Sequence, residues 1–193
     1  MGSVVGRITE EQPKYEVRTT LEGEYEVRVY APNIAIETPQ SGSSPKEKDS
    51  APFMTLAGYI GVRSTPQNKR QEPVSMTSPV VCIKNTEAAS NGDTGSTGKM
   101  QFILPSSLAD PPEPVEGSNV TVVKRSEKIM AVRTFTGNWD EHHFEKERDK
   151  LLALLERDGI ETVKPMYWET YRYNPPWTLS NMRTNEVAIQ LVE

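Results

Sequence analysis

Alternating polar and apolar residues mark a pair of strands near the start of the chain. Residues 15–18 (Tyr-Glu-Val-Arg) recur as residues 25–28, and residues 22–24 (Glu-Gly-Glu) between them have the composition of a turn. Neighbouring side chains of an extended strand point to opposite faces, so each copy can bury one face and expose the other. We therefore predict two strands joined by a turn, the second running on towards Pro32.

The same kind of pattern predicts the remaining strands, at about residues 73–84, 99–104, 120–124, 129–135, 166–173 and 186–192. The segments 120–124 and 129–135 are expected to form a strand pair. Two stretches rich in small and polar residues, 38–52 and 86–98, bury too little apolar surface to order themselves, so we expect mobile loops there.

A short helix is predicted over residues 53–60, with Pro52 in its first turn and Gly61 at its end. Its apolar residues fall at helical spacing, namely Phe53, Leu56, Ala57 and Ile60. A single long helix is predicted from Asp140 to just before Gly159, with the Asp140 carboxylate capping its first turn. Its apolar stripe consists of Phe144, Leu151, Leu152 and Leu155.

The order of these elements predicts an α+β domain built from two similar halves. Residues 1–14 are interpreted as an N-terminal extension and residues 15–193 as the domain itself. A chain of 193 residues is long enough for one domain with a substantial core.

Composition excludes several classes of function. The net charge is −5, and no cluster of basic residues is visible, which argues against nucleic-acid binding. Cys82 is the only cysteine and lies in an apolar run, so we expect a buried thiol and no intrachain disulfide. No segment has the length and hydropathy of a membrane span, and no signal peptide precedes Glu10, so a cytoplasmic location is expected.

The motifs of common enzyme classes are missing. The sequence contains no nucleophile elbow, dinucleotide-binding fingerprint or phosphate-binding loop. His142 and His143 are the only histidines, and adjacent residues of a helix point about 100° apart, so both are interpreted as surface residues and no metal site is predicted. Glu169 and Glu186 are expected to form structural ion pairs, Glu186 with Arg183. We therefore predict a protein that is not an enzyme.

The loop at residues 171–177 (Tyr-Arg-Tyr-Asn-Pro-Pro-Trp) is the best candidate for a binding element. Consecutive prolines fix two φ angles and favour an extended Asn174, so the loop is shaped before a ligand arrives. Aromatic residues and methionines can form either an ordinary core or an apolar pocket, and Trp177 is the residue most favourable to the pocket.

Several motifs together resemble the SOUL haem-binding protein family, over residues 15–192. They lie at residues 25–30 (Tyr-Glu-Val-Arg-Val-Tyr), 53–61, 74–80 (Val-Ser-Met-Thr-Ser-Pro-Val), 110–114, 173–176 (Tyr-Asn-Pro-Pro) and 183–187 (Arg-Thr-Asn-Glu-Val). The resemblance implies a distorted antiparallel β-barrel flanked by two helices. It also implies that the protein binds haem or a porphyrin non-covalently.

The same resemblance implies a site between the first helix and the Pro-Pro loop. The corresponding residues here are Phe53, Leu56, Ala57, Ile60, Tyr173 and Trp177. Val29 stands where one branch of the family has a proposed axial histidine, so binding without an axial ligand is expected. The family's basic residues for the propionates fall near Ser50, Gly58 and Thr178, and Arg63 and Arg183 are the candidate substitutes.

The resulting hypothesis is a reversible carrier or buffer of haem or another tetrapyrrole, held in an apolar groove. The main alternative is a structural or protein-interaction subunit that keeps the SOUL fold and docks through the loops 38–52 and 86–98. A third class, an enzyme acting on a small apolar molecule, would need polar groups that converge in the pocket with shifted pKa values.

Overall fold

The computed structural model describes residues 8–40, 45–62, 65–85 and 98–193. Its strands, in chain order, are β1 (Tyr15–Leu21), β2 (Tyr25–Tyr30), β3 (Asn33–Gln40), β4 (Val80–Asn85), β5 (Gly98–Ile103), β6 (Thr121–Arg125), β7 (Lys128–Phe135), β8 (Tyr167–Arg172) and β9 (Asn185–Gln190). Two helices, α1 (Pro45–Ile60) and α2 (Glu141–Arg157), interrupt this series. The α+β class predicted from the sequence is confirmed.

All nine strands belong to one antiparallel sheet, in the order β1-β2-β7-β9-β8-β4-β5-β3-β6. The two end strands, β1 and β6, do not pair with each other, so the sheet is not closed. The barrel implied by the family resemblance is therefore not found. Closure would require hydrogen bonds between the two end strands.

The sheet order has an internal repeat. The units β2-β3-α1-β4-β5 and β6-β7-α2-β8-β9 follow one another along the chain. In the sheet they form a palindrome about the central β4–β8 pair, because each unit contributes its first strand to the far end of the other. This exchange explains why β6 pairs with β3. The sequence pattern had predicted that β6 pairs with β7, and that prediction is wrong.

Three apolar clusters form the core. One lies under α1 and contains Ile36, Met100 and Phe102, and a second lies under α2 and contains Trp168. Tyr171 follows Trp168 by three residues and so points to the opposite face of β8, where it belongs to a third cluster. The central strands are thus buried on both faces, and Cys82 is completely buried as predicted.

The first helix is longer than its apolar spacing predicted. It begins at Pro45, so Pro52 lies inside it and not in its first turn. Residues 38–40 belong to β3, which leaves only residues 41–44 of the predicted loop between elements, and these lie outside the described residues. Most of the second predicted loop, residues 86–97, also lies outside them. Because the N-terminal half of α1 is polar, apolar periodicity predicts only its C-terminal half.

The second helix matches its prediction closely. The carboxylate of Asp140 accepts a hydrogen bond from the backbone N–H of His143 at 2.8 Å, as a helix cap does. Phe144, Leu151 and Leu155 are buried against the sheet, together with Glu147. Burial disfavours the charge on Glu147, but hydrogen bonds from Lys150 and Arg133 outweigh it and lower its pKa.

Candidate functional site

The loop between β8 and β9 is held in shape by its own polar groups. Arg183 donates from Nε to the carbonyl of Thr178 at 2.8 Å and from Nη2 to the carbonyl of Pro176 at 2.7 Å. Asn174 accepts a hydrogen bond at its Oδ1 from the backbone N–H of Thr184 at 2.6 Å. The loop is therefore fixed at both ends and across its middle.

Trp139 fastens this loop to the segment before α2. The guanidinium carbon of Arg183 lies 4.6 Å from the centre of the Trp139 ring, which is a cation–π distance. The indole N–H of Trp139 donates to Oδ1 of Asn185 at 2.8 Å, and Asn185 donates to the carbonyl of Gly137 at 3.2 Å. Two loops thus stiffen each other around one indole ring.

The loop between β8 and β9, residues 173–184, is called the clamped loop below. Several of its large apolar side chains face solvent. Trp177 is 74% exposed and Leu179 is 62% exposed, and Met182 is also exposed. Tyr173, at the start of the loop, is buried in the third core cluster. Apolar groups held on a rigid, exposed loop are a typical feature of a binding surface.

The predicted residues of α1 are mostly part of the core. Leu56, Ala57 and Ile60 are buried beneath the helix. Phe53 is half-buried, and its ring centre lies 5.3 Å from that of Phe102. Met54 is the exposed apolar residue of this helical turn. The structure thus brings Phe53, and not the other three, towards the surface.

Arg172 links α1 to the clamped loop. It is the last residue of β8, and its Nη1 donates to Oδ2 of Asp49 in α1 at 2.8 Å. Its guanidinium lies 5.8 Å from the centre of the Trp139 ring and 5.4 Å from that of Phe144. Sequence reasoning assigned no role to Arg172, although it lies in the 171–177 segment, and did not single out Trp139, because only the fold brings the two together.

The predicted ion pair between Arg183 and Glu186 is wrong. Glu186 is buried and pairs instead with Arg28, whose Nη2 lies 3.0 Å from Oε1. It also accepts hydrogen bonds from Thr134 and from the hydroxyl of Tyr173, the latter at 2.7 Å. Burial, together with the nearby Glu186 charge, raises the pKa of Tyr173. The arginine comes from β2, which is separated from β9 by β7 in the sheet, and sequence proximity cannot reveal such a partner.

Glu169 forms a second buried ion pair on the same face of the sheet. Arg125 lies 2.6 Å from its carboxylate and Lys128 lies 3.2 Å from it, while Tyr171 donates a hydrogen bond to it at 2.9 Å. Burial opposes its ionisation, but the two cations outweigh burial and lower the pKa of Glu169. Both carboxylates thus form buried ion pairs, as the sequence predicted.

The surroundings of the two histidines are those of ordinary helix residues in the part of the chain that the structure describes. His142 is exposed, and the ring of His143 packs against Phe135 with 5.0 Å between ring centres. Among the residues that the structure describes, no three His, Cys, Asp or Glu side chains are grouped to hold a metal ion. Arg63, named above as a candidate for the propionates, lies outside the described residues.

A cavity of about 250 Å³ is lined by a different set of residues. Its walls are the N-terminal segment 11–14, the turn around Asn33 and the connector 103–109. None of the predicted site residues lines it.

The nine-stranded sheet and its two helices form an α+β domain whose loop between β8 and β9 exposes large apolar side chains. A family model described as SOUL heme-binding protein matches residues 10–190. Heme-binding protein 2 from Homo sapiens is 30% identical over 166 residues, which cover 86% of this chain and 77% of that protein. The Mus musculus protein of the same name is 28% identical with the same coverage. The chain therefore belongs to the SOUL heme-binding protein family.

Solved structures share the fold at low sequence identity. A hydrolase from Listeria innocua matches with a TM-score of 0.60 and 9% identity, over 88% of this chain and 92% of that one. The C-terminal domain of EcmrR matches with a TM-score of 0.56 and 9% identity, over 93% and 98%. These likenesses show the fold alone. In the described part of the chain, no helix is long and apolar enough to cross a membrane.

Proposed function

We propose that the protein binds haem or a related tetrapyrrole non-covalently, as a carrier or buffer, and performs no chemistry on it. Two observations support this proposal: membership of a family named for haem binding, and a rigid loop that presents apolar side chains to solvent. The buried carboxylates of Glu169 and Glu186 are engaged in ion pairs. The proposed site is the surface between the clamped loop and α1.

Trp177 is the observation that carries the proposal. An aromatic side chain buries roughly 150–250 Å², so covering the exposed 74% of this indole would contribute about 3–5 kcal/mol at about 25 cal/mol per Å². Because Arg183 and Asn174 already fix the loop, little conformational entropy is lost when a ligand settles on it. A flat porphyrin face is well suited to such a contact.

In this proposal α1 contributes a wall of the groove. Phe53 contacts the ligand, whereas Leu56, Ala57 and Ile60 contribute indirectly by packing the helix against the sheet. Tyr173 similarly anchors the loop through Glu186. Iron is not required for binding, because the candidate axial position is Val29 and the His143 ring is packed against Phe135.

The same exposed surface also favours a second candidate function, a protein-interaction subunit. Trp177 and Leu179 together resemble the apolar anchors of a protein interface as much as they resemble the wall of a ligand site. The two functions differ in their ligand. Only the first requires saturable binding of a porphyrin by the isolated protein.

A titration of the purified protein with hemin and with iron-free protoporphyrin, followed by absorbance, tests the proposal. Trp177→Ala is expected to weaken both by at least tenfold, since most of about 3–5 kcal/mol is lost when the indole is removed and about 1.4 kcal/mol is tenfold. Tyr167→Ala is the matched control, because Tyr167 is a half-exposed aromatic at the opposite end of β8. It is expected to leave both affinities unchanged.

Two results would contradict the proposal. Failure of the wild-type protein to bind either porphyrin saturably would favour the interaction subunit. Binding of hemin alone, abolished by His143→Ala, would show that iron ligation and not the apolar loop supplies the affinity.

A further inference from the structure

The two arginines near the clamped loop differ in how their donors are used. Arg183 donates hydrogen bonds from Nε and Nη2 to the carbonyls of Thr178 and Pro176, so these donors are used within the loop. Arg172 makes one hydrogen bond, from Nη1 to Asp49. Within the described part of the chain, its Nε and Nη2 donate to no protein group.

The unused donors of Arg172 are unusual for a side chain that is only 10% exposed. Its Nε is buried without a partner, although buried N–H groups are nearly always hydrogen-bonded and an unpaired one is costly. Its Nη2 is not buried, and therefore touches solvent. A guanidinium offers a planar fork of donors that matches a carboxylate. Arg172 thus has vacant capacity for an anionic oxygen.

The position of Arg172 is equally specific. It immediately precedes the clamped loop, and through Asp49 it reaches α1, the two elements between which the ligand is proposed to lie. The rings of Trp139 and Phe144 flank its charge with apolar surface. Attraction between opposite charges is stronger beside such surface than in bulk water.

We propose that Arg172, and not Arg183, recognises a carboxylate of the bound tetrapyrrole, and that Asp49 occupies this position in the free protein. The inference rests on the proposed function. The Asp49 side chain is 37% exposed, and besides its contact with Arg172 it accepts a 3.3 Å hydrogen bond from Gln40. An incoming carboxylate can therefore replace Asp49 at the Arg172 guanidinium. Asp49 therefore acts as an internal competitor that sets the preference for ligands with carboxylates.

The test compares protoporphyrin with its dimethyl ester, both added from the same organic stock. Arg172→Gln is expected to weaken the acid by about tenfold or more, the usual range of a charge-assisted hydrogen bond, and to change the ester less than twofold. Asp49→Asn, which keeps the shape and removes the competing charge, is expected to tighten the acid several-fold and leave the ester unchanged. Arg183→Gln loosens the loop and is expected to weaken acid and ester alike.

Arg157→Gln is the matched control, since this arginine is bound to Glu24 at the far end of α2 and is expected to change neither affinity. Thermal melts of every variant check folding, and Asp49→Asn carries the test if Arg172→Gln is unstable. Equal losses for acid and ester in Arg172→Gln, or an unchanged acid affinity in Asp49→Asn, would overturn the inference. If the wild-type protein bound neither porphyrin, the proposed function would fail first, and this inference with it.

Discussion

The buried carboxylate of Glu186 gives the sharpest test of how this fold is stabilised. Glu186 accepts hydrogen bonds from Thr134 and Tyr173 and forms an ion pair with Arg28, and all but Thr134 are buried. Glu186→Gln keeps the shape of the side chain but leaves Arg28 without its buried counter-charge. Removing one partner of a buried ion pair typically destabilises a protein by about 3–5 kcal/mol.

The structure places the expected loss at the lower end of that range. Arg28 also contacts Glu26 at 2.7 Å, and Glu26 is about one-third exposed, so part of its charge stays compensated. We expect a loss of about 3 kcal/mol, which lowers the melting temperature by about 6–12 °C in a protein of this size. Urea unfolding followed by circular dichroism and by tryptophan fluorescence measures this loss and checks that the two probes agree.

Glu26→Gln is the matched control, because it removes the exposed partner of the same arginine. We expect it to cost less than about 1 kcal/mol. A loss below about 1 kcal/mol in Glu186→Gln would refute the reasoning, since the Glu186 charge would then contribute little. A loss as large in Glu26→Gln would show that burial does not distinguish the two partners.

Three further predictions concern single positions. Gly61→Ala should destabilise the protein by more than Gly23→Ala in urea unfolding. Both glycines have positive φ, but a Cβ at residue 61 would lie 2.6 Å from a proline ring, whereas one at residue 23 would meet nothing within 4 Å. Equal losses would contradict this prediction. Asp140→Ala should cost about 1 kcal/mol through loss of the α2 cap, and Asp149→Ala, at an exposed site in the same helix, should cost clearly less in the same assay. Burial, with a hydrogen bond to a carboxylate, raises the pKa of Tyr25 from 10.0 to about 12. The protonated hydroxyl therefore stabilises the folded state fully below pH 10, and this stabilisation is lost as pH rises through 12. Over that window the free energy of unfolding should fall more steeply for the wild type than for Tyr25→Phe, and parallel curves would contradict the assignment.

Local signals in the sequence predicted local structure well. Asp140 and the apolar stripe behind it located α2 almost to the residue, because capping and helical periodicity act within a few residues. The start of α1 was missed since its first turns are polar and include Pro52. Strand partners depend on contacts far apart in sequence, which explains why β6 and β7 were placed together when the fold separates them.

The candidate site was only partly visible for the same reason. The paired prolines indicated a shaped loop with Trp177 on it, and the structure places that residue there, exposed. Trp139, which fastens the loop through Asn185, comes from the segment before α2, and Arg172 meets Asp49 across 123 residues of sequence. No spacing rule within one segment could have joined them.

The most direct test of the proposed site is to follow the backbone amide signals of the protein by NMR while protoporphyrin is added. The account predicts that the largest shifts fall in the loop 174–184 and around Asp49 and Phe53 in α1. It also predicts that signals of the 11–14 and 103–109 segments, which line the 250 Å³ cavity, stay in place. Shifts concentrated around that cavity, or none at saturating ligand, would contradict the claim that the clamped loop and α1 form a tetrapyrrole site.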